Sequence, residues 1–292
     1  MSDQPSQPIR AAVWMIGAIG AFTSMAVSGR ELAAELDTFE IMLYRSVIGI
    51  AIVLLVAGLA GTLGQINRRA IHIHLIRNIS HFAGQNLWFF AIPLIPLTQV
   101  FALEFTSPIW AIFLAVFILG ERLNRITILT AALGFVGVLI ITRPWDTSLS
   151  PGVIAAALAA IGFAGSAVFT RLLTRTQSIT CILFWLTVMQ AVFGFVLASY
   201  DGEVAVPTSA IWPWVLVVAV AGLVAHFCLT KALSLAPAAV VVPVDFVRLP
   251  AIAVVGLVLY GEPLEGIVAI GAIIIFAANY LNIMAETRNS RA

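Results

Sequence analysis

The chain alternates long apolar runs with short polar connectors. Ten runs reach or approach the roughly 20 residues that an α-helix needs to cross a bilayer core. They are 10–29, 39–60, 73–93, 96–118, 125–142, 152–171, 179–199, 211–235, 238–260 and 263–284. Since most connectors are only a few residues long, we expect consecutive helices to pack as neighbours. The pattern predicts an all-α polytopic membrane protein with ten transmembrane helices.

One of these runs recurs later in the chain. Residues 94–121 read LIPLTQVFALEFTSPIWAIFLAVFILGE, and residues 235–262 read LAPAAVVVPVDFVRLPAIAVVGLVLYGE. A shift of 141 residues, from 94 to 235, aligns a proline, a phenylalanine and a closing Gly-Glu, and it aligns Glu104 with Asp245. The same shift places the first five runs on the last five. Because five is odd, we predict a 5+5 inverted-topology repeat with halves 1–145 and 146–292.

The composition fits this interpretation. The 292 residues are 61% hydrophobic and 10% charged, whereas a soluble domain has roughly 25% charged residues. The expected partner is therefore a lipid bilayer, not a nucleic acid, and neither a cofactor nor a metal is expected. Cys181 and Cys228 both lie in apolar runs, where they are predicted to be small buried residues without a disulfide.

The distribution of arginines predicts the orientation. Ten of the 15 Lys and Arg residues lie at one set of helix ends, and only Arg30 and Arg143 lie at the other. The ten are Arg10, Arg68, Arg69, Arg77, Arg122, Arg125, Arg171, Arg175, Arg288 and Arg291. Because basic residues favour the cytoplasmic side, we expect both termini in the cytoplasm and the protein in the cell (inner) membrane.

Two acids interrupt the apolar runs at matching positions. Glu104 and Asp245 each follow a proline, Pro96 or Pro237, by eight residues, or about 12 Å along a helix. In a core of about 30 Å both would lie near the midplane, where an ionised group costs at least about 2.5–3.5 kcal/mol unless it is paired or hydrated. They form either a substrate or proton site or a pair of structural acids neutralised by arginines.

Two arginines within the runs are the candidate counter-ions. Arg248 follows Asp245 by three residues and shares its helix face. Arg45 lies at a similar depth in the second run, so we predict that it associates with Glu104. Together, Arg45 and Arg248 would balance the acids or hold a substrate carboxylate.

Further candidates surround the two acids. The third run carries Gln85, Asn86 and Trp88, and the repeat aligns Gln85 with His226. These polar residues are expected either to contact substrate or to join helices by hydrogen bonds.

Aromatic and proline residues follow the same symmetry. Phe105 and Phe246 each come directly after an acid and are candidates for a cavity wall or for ordinary packing. Pro108 and Pro250 should kink their helices, as hinges or as static bends.

The repeated motifs resemble a known family. The chain is similar to the drug/metabolite transporter superfamily, in the branch with two EamA-type repeats. The resemblance rests on the two L-x-P steps at Leu94–Pro96 and Leu235–Pro237, on L-G-E-R-L at 119–123, and on Y-G-E-P-L at 260–264. It implies a secondary transporter with a central cavity between the halves.

Mixed charge at mid-depth favours a small-molecule substrate such as an amino acid or a related zwitterion, exported by alternating access with a proton as the candidate coupling ion. A vitamin importer, such as one for riboflavin, is the main alternative. A channel and an intramembrane enzyme are remote, because no selectivity-filter or hydrolase motif is present. A monomer and a homodimer both remain open.

Overall fold

The computed structural model describes residues 6–95, 97–120, 125–142, 150–200, 202–260 and 266–289. Within these ranges all regular structure is helical. The α-helices are α1 (Pro8–Leu32), α2 (Thr38–Leu59), α3 (Ile71–Ala91), α4 (Leu97–Glu104), α5 (Ser107–Leu114), α6 (Arg125–Thr142), α7 (Pro151–Leu173), α8 (Ile179–Ala198), α9 (Trp212–Leu235), α10 (Ala238–Val244), α11 (Arg248–Tyr260) and α12 (Gly266–Asn289). A π-helical turn, Ala115–Leu119, follows α5, and 3₁₀ turns occupy Leu63–Gln65 and Asp245–Val247.

These helices begin and end close to the predicted runs, but two of the runs are broken. The fourth run divides into α4, α5 and the π-helical turn, and the ninth divides into α10, a 3₁₀ turn and α11. In the described part of the chain, six helices are long and apolar enough to cross a membrane. They are Pro8–Leu32, Thr38–Leu59, Pro151–Leu173, Ile179–Ala198, Trp212–Leu235 and Val240–Leu259, the last of which runs through α10, the 3₁₀ turn and α11. The all-helical membrane fold is confirmed, and the count of ten spans stays a prediction.

Helix α3 is polar on the inside and apolar on the outside. Its buried face carries His74, Arg77, Asn78, His81, Gln85 and Asn86. Its exposed face carries Ile71, Leu75, Ile76 and Ile79. The polar residues recur at helical spacing, so a single face collects them. This arrangement suits a helix that turns one face towards lipid and the other towards a polar interior.

The helix pairs follow the 141-residue shift. Helices α2, α3 and α6 begin at residues 38, 71 and 125, and α8, α9 and α12 begin at 179, 212 and 266. Helix α1 packs along α9, and α3 packs along α7. The shift relates α1 to α7 and α3 to α9, so it converts each of these pairs into the other. The remaining long contacts, α2 with α8 and α6 with α12, map onto themselves, so the packing has the pairing that a two-fold relation produces.

Glycines allow the closest of these contacts. A Cβ added at Gly162 of α7 would lie 2.7 Å from the Ser80 carbonyl oxygen and 2.8 Å from Gly84 Cα on α3. A Cβ at Gly137 of α6 would lie 2.9 Å from the Gly271 carbonyl oxygen on α12. All three distances are too short for a side chain. The absence of a side chain at these glycines therefore lets the helix backbones approach each other closely.

Capping hydrogen bonds hold the connectors that precede α2 and α9. Asp37 Oδ1 accepts hydrogen bonds from the backbone N–H groups of Phe39 and Glu40, both at 2.8 Å, at the start of α2. Glu40 returns a bond through Oε2, which accepts from Asp37 N at 2.9 Å. Glu40 Oε1 also accepts from Ala205 N at 2.6 Å. The Glu40 carboxylate therefore completes the capping box of α2 and also binds the segment that leads to α9.

Candidate functional site

Two broken helices meet at the two acids. Glu104 is the last residue of α4, and Asp245 begins the 3₁₀ turn after α10. Pro108 is the second residue of α5, and Pro250 is the third residue of α11. Each proline lacks the N–H that would continue the hydrogen-bond ladder across the break. Each helix is therefore interrupted just before the proline at which a kink was predicted, and each interruption lies beside an acid.

Arg248 joins the two acids. Its Nη2 donates to Asp245 Oδ2 at 2.7 Å and to Glu104 Oε1. The other oxygen of Glu104 accepts from Trp88 Nε1 at 2.6 Å. All of this lies in the interior, where Arg248 is only 2% exposed. The acids, arginine and indole form a connected polar group, which we call the carboxylate–arginine cluster (Trp88, Glu104, Asp245, Arg248).

The structure corrects one predicted pairing. The association of Asp245 with Arg248 is confirmed, but the predicted association of Glu104 with Arg45 is wrong, because Arg248 pairs with Glu104. The two helix breaks explain the difference. They bring the end of α4 against α11, so the arginine at the start of α11 reaches the acids of both halves.

Aromatic rings surround the Arg248 guanidinium. Its Cζ lies 5.0 Å from the ring centroids of Phe22 and Phe101 and 5.3 Å from that of Phe105. The rings of Phe105 and Phe246 meet edge to face at 5.6 Å, and both residues are fully buried. The phenylalanines that follow the acids thus support the cluster by cation–π contact and packing.

A cavity of about 630 Å³, counting the part open to the outside, lies against this cluster. Of the predicted residues, those that line it are Gln85, Trp88, Glu104, His226, Asp245 and Arg248. The predicted residues Arg45, Asn86, Phe105 and Phe246 do not line it. Asn86 donates from Nδ2 to the Phe82 carbonyl of its own helix at 2.8 Å. We call this space the main cavity, and it combines apolar walls with a few converging polar and charged groups, as small-molecule sites do.

Two aromatic residues of the main cavity were missed in the sequence. Phe22 and Phe163 both line it. Phe22 lies 5.7 Å from the ring of His226, and Phe163 lies 6.3 Å from the ring of His81. The two phenylalanines are separated by the same 141 residues as the acids. That shift, applied to every aromatic residue, would have identified them.

A smaller cavity lies on the other side of His226. Its volume is about 250 Å³, again counting the part that is open. Its polar lining consists of Arg45, Ser46, Thr187, Gln190 and His226. Ser46 and Thr187 are again related by the 141-residue shift. His226 lines both cavities, and its ring stands 4.5 Å from that of His81.

Several buried polar atoms bordering the cavities have no protein partner. They are His81 Nε2, Gln85 Nε2, Gln190 Oε1, Asp245 Oδ1 and both ring nitrogens of His226. A buried polar group without a hydrogen bond is destabilising, so these atoms are suited to bind water or a ligand. No group of three or more His, Cys, Asp or Glu residues in the described ranges could hold a metal ion.

Sequence comparison matches the chain twice to one family model. The model of the EamA-like transporter family matches residues 9–143 and 150–284, so the starts and the ends of the two matches share the 141-residue shift. A riboflavin transporter of Rhizobium johnstonii is 31% identical over 75% of this chain and 72% of its own length. An S-adenosylmethionine uptake transporter of Rickettsia felis is 23% identical, over 99% and 97%.

A pseudopaline exporter of Pseudomonas aeruginosa is 25% identical over 90% of this chain and 93% of its own length. A solved crystal structure superposes with a TM-score of 0.78 at 17% identity, over 95% of this chain and 98% of the other. That likeness concerns the fold. The family match covers both repeats and nearly the whole chain. The chain therefore belongs to the EamA-like transporter family.

Proposed function

We propose that this protein is a secondary carrier that works by alternating access between two inverted halves in the inner membrane. The observation that carries the proposal is the meeting of two broken helices, one from each repeat, at a cavity that carries charged and polar groups. Broken helices at the interface of repeats are typical of carriers. The exchange of helix pairs under the repeat supports the inverted relation, and the arginine bias supports cytoplasmic termini.

The carboxylate–arginine cluster suggests how ligand binding and movement are coupled. With all three groups ionised, two carboxylates and one guanidinium leave a net charge of −1. A proton or a substrate ammonium group would neutralise that charge. Its binding would weaken the bridge from Arg248 to Glu104, which links the second half to the first. The cluster would then act as a charge-sensitive latch between α4 and α11, with a proton as the coupling ion.

We infer that the solute is a flat heteroaromatic molecule of the riboflavin type and that it is taken up. The main cavity presents aromatic rings from both halves, namely Phe22, His81, Trp88, Phe163 and His226. Rings placed edge to face or offset suit a planar solute. The names of the riboflavin and S-adenosylmethionine relatives support uptake of ring-bearing solutes.

Export of an amino acid or a related zwitterion is the second candidate. It is favoured by the separation of opposite charges, with the acids at the main cavity and Arg45 at the smaller one. The name of the pseudopaline exporter agrees with export. Such a zwitterion would place its ammonium group at the acids and its carboxylate at the arginine.

Flux measurements on purified protein in liposomes test these proposals. We expect saturable riboflavin flux, reduced about tenfold or more in Phe163→Ala, because stacking on an aromatic ring is lost. Phe195→Ala is the matched control, since Phe195 is 60% exposed on the outside of α8. Saturable amino-acid flux without riboflavin flux would select the second candidate. Discrete single-channel currents would contradict a carrier of either kind.

A further inference from the structure

The smaller cavity contains a buried positive charge without a carboxylate partner. Arg45 is 6% exposed, and its Nη1 contacts Met25 Sδ at 3.6 Å. Within the described ranges, the intramembrane carboxylates Glu104 and Asp245 are both taken by Arg248. A buried guanidinium that lacks a counter-ion is strongly destabilising. Its counter-charge is therefore expected from a bound ligand.

The chain makes room for this guanidinium. A Cβ added at Gly222 of α9 would lie 3.3 Å from both Cζ and Nε of Arg45. Because glycine has no side chain, the planar guanidinium can lie close to the α9 backbone. The hydroxyl of Ser46 borders the same space. Both ring nitrogens of His226, which is 3% exposed, lack a partner at its edge. The cavity thus combines a fixed cation with neutral groups that can donate hydrogen bonds.

A second buried arginine strengthens the positive potential. Arg77 on α3 donates from Nε to Thr170 Oγ1 at 3.1 Å and from Nη1 to Asn78 Oδ1 at 3.0 Å. Both partners are neutral, so Arg77 keeps its charge uncompensated among the described residues. Gln190, which lines the smaller cavity, donates from Nε2 to the Asn78 carbonyl at 2.9 Å. The arginine network therefore extends to the cavity wall.

Among the charged side chains around the two cavities, the positive charges exceed the negative charges by one. Three arginines (Arg45, Arg77, Arg248) face two acids (Glu104, Asp245). Since the acids are engaged by Arg248, the surplus lies on the Arg45 side. In an interior of low dielectric constant such a charge attracts an anion more strongly than in water. One monovalent anion would neutralise this group of five side chains.

We propose that the smaller cavity is an anion subsite in which Arg45 binds a carboxylate or phosphate on the transported solute, or a free inorganic anion such as chloride. As a subsite for the solute, the inference rests on the proposed function. The ring of that solute would lie in the main cavity, and its anionic group would pass His226 to reach the guanidinium. The preferred substrate class is then a ring-bearing solute with an anionic appendage.

Binding measurements on the full chain in detergent test the subsite. Riboflavin and flavin mononucleotide form a matched pair, because they differ only by a phosphate. Chloride and gluconate salts form the second pair. The variants are Arg45→Gln and Arg45→Lys, and the matched control is Arg10→Gln, which removes a charge from the start of α1, where Arg10 bonds to Gln7.

We expect the wild type to bind flavin mononucleotide more tightly than riboflavin. Arg45→Gln should lower the affinity for flavin mononucleotide by about tenfold or more, because a charge-assisted hydrogen bond is lost. The affinity for riboflavin should stay within about twofold of the wild-type value. Arg45→Lys should retain part of the preference. Without ligand, Arg45→Gln should melt no lower than the wild type, because it removes an uncompensated charge. A purely structural arginine would give the opposite result.

The outcomes distinguish an anionic group on the solute from a free anion. They also separate the failure of the anion subsite from the failure of the proposed function. If chloride stabilises the wild type more than gluconate does, and this difference is absent in Arg45→Gln, Arg45 binds an anion. If the two flavins are also bound equally or not at all, that anion is a free one. If neither flavin binds, the flavin-type substrate is wrong and the anion subsite still stands on the chloride result. If neither flavin mononucleotide nor chloride gives a response that depends on Arg45, the subsite is overturned.

Discussion

At the scale of single residues, the central feature is a guanidinium shared by two carboxylates from different repeats. Arg248 bonds to both acids, and three phenylalanine rings lie within cation–π distance of it. Removal of the arginine would leave the buried Glu104 and the partly buried Asp245 without their counter-ion. A buried ion pair that loses one partner is destabilised far more than one that is replaced as a whole.

Arg248→Met is therefore expected to destabilise the protein by about 3–5 kcal/mol, seen as a lower midpoint of thermal unfolding in detergent. The combined replacement of Glu104, Asp245 and Arg248 by Gln, Asn and Met should recover most of that loss, because no buried charge remains. Equal midpoints for the single and the combined variant would show that the cluster does not act as one ionic unit.

At the scale of helices, the acids lie where the backbone is interrupted. Helices α4 and α10 are short, and α5 and α11 continue after a break next to Pro108 and Pro250. A break frees backbone carbonyls and lets the two parts of a helix change direction independently. If the breaks are hinges, restoring the missing N–H should slow the motion without altering the binding site.

Pro108→Ala and Pro250→Ala are expected to reduce the transport rate by about tenfold, which corresponds to roughly 1.4 kcal/mol of barrier, with ligand affinity unchanged. Flux in liposomes measures the rate, and equilibrium binding measures the affinity. Pro151→Ala is the control, because Pro151 begins α7, where the missing N–H is not needed. Wild-type rates in both hinge variants would identify the breaks as static bends.

The close contact of α3 and α7 gives a second prediction for the helices. Gly162→Ala is expected to lower stability by about 1–3 kcal/mol, because its Cβ would collide with the α3 backbone. Gly20→Ala on α1 is the matched control, since a Cβ there meets nothing within 4 Å. Thermal unfolding in detergent measures both. Equal midpoints would contradict the packing described for this pair.

At the scale of the whole molecule, the two repeats place equivalent residues around one cavity. The same shift separates Phe22 from Phe163 and Glu104 from Asp245. Each pair contributes one side chain from each half to the interior. Departures from symmetry are equally informative. Arg248 corresponds to Ser107, and Arg45 corresponds to Leu186, so each arginine gives its cavity a charge that the duplication alone would not produce.

Reporter fusions test the inverted topology. A fluorescent protein that matures only in the cytoplasm should be bright when fused after either terminus. A periplasm-active phosphatase should be active when fused near residue 147, between the halves, because five helices would precede it. A cytoplasmic position for that junction would contradict the inverted repeat, whereas the family membership would stand.

Much of this arrangement could be predicted from the sequence, and the reasons for the failures are physical. The length of the apolar runs predicted the helices, because run length is a local property of the sequence. The repeat identified Glu104 and Asp245 together, because the same spacing of 141 residues holds along the whole chain. The partner of Glu104 was predicted wrongly as Arg45. Depth along the membrane restricts which residues can meet, but it does not determine which neighbours a helix has. The placement of α11 against α4 decides that pairing, and it emerges only in three dimensions.

The most direct test of the account measures proton-driven transport by the two acid variants in liposomes. With riboflavin as the solute and an imposed pH gradient between pH 5 and 8, the wild type should accumulate the solute. Glu104→Gln and Asp245→Asn should each lose accumulation while retaining solute exchange without a gradient, because the latch between the halves no longer takes up a proton. Gradient-driven accumulation at the wild-type rate in both variants would contradict the role of the carboxylate–arginine cluster in coupling.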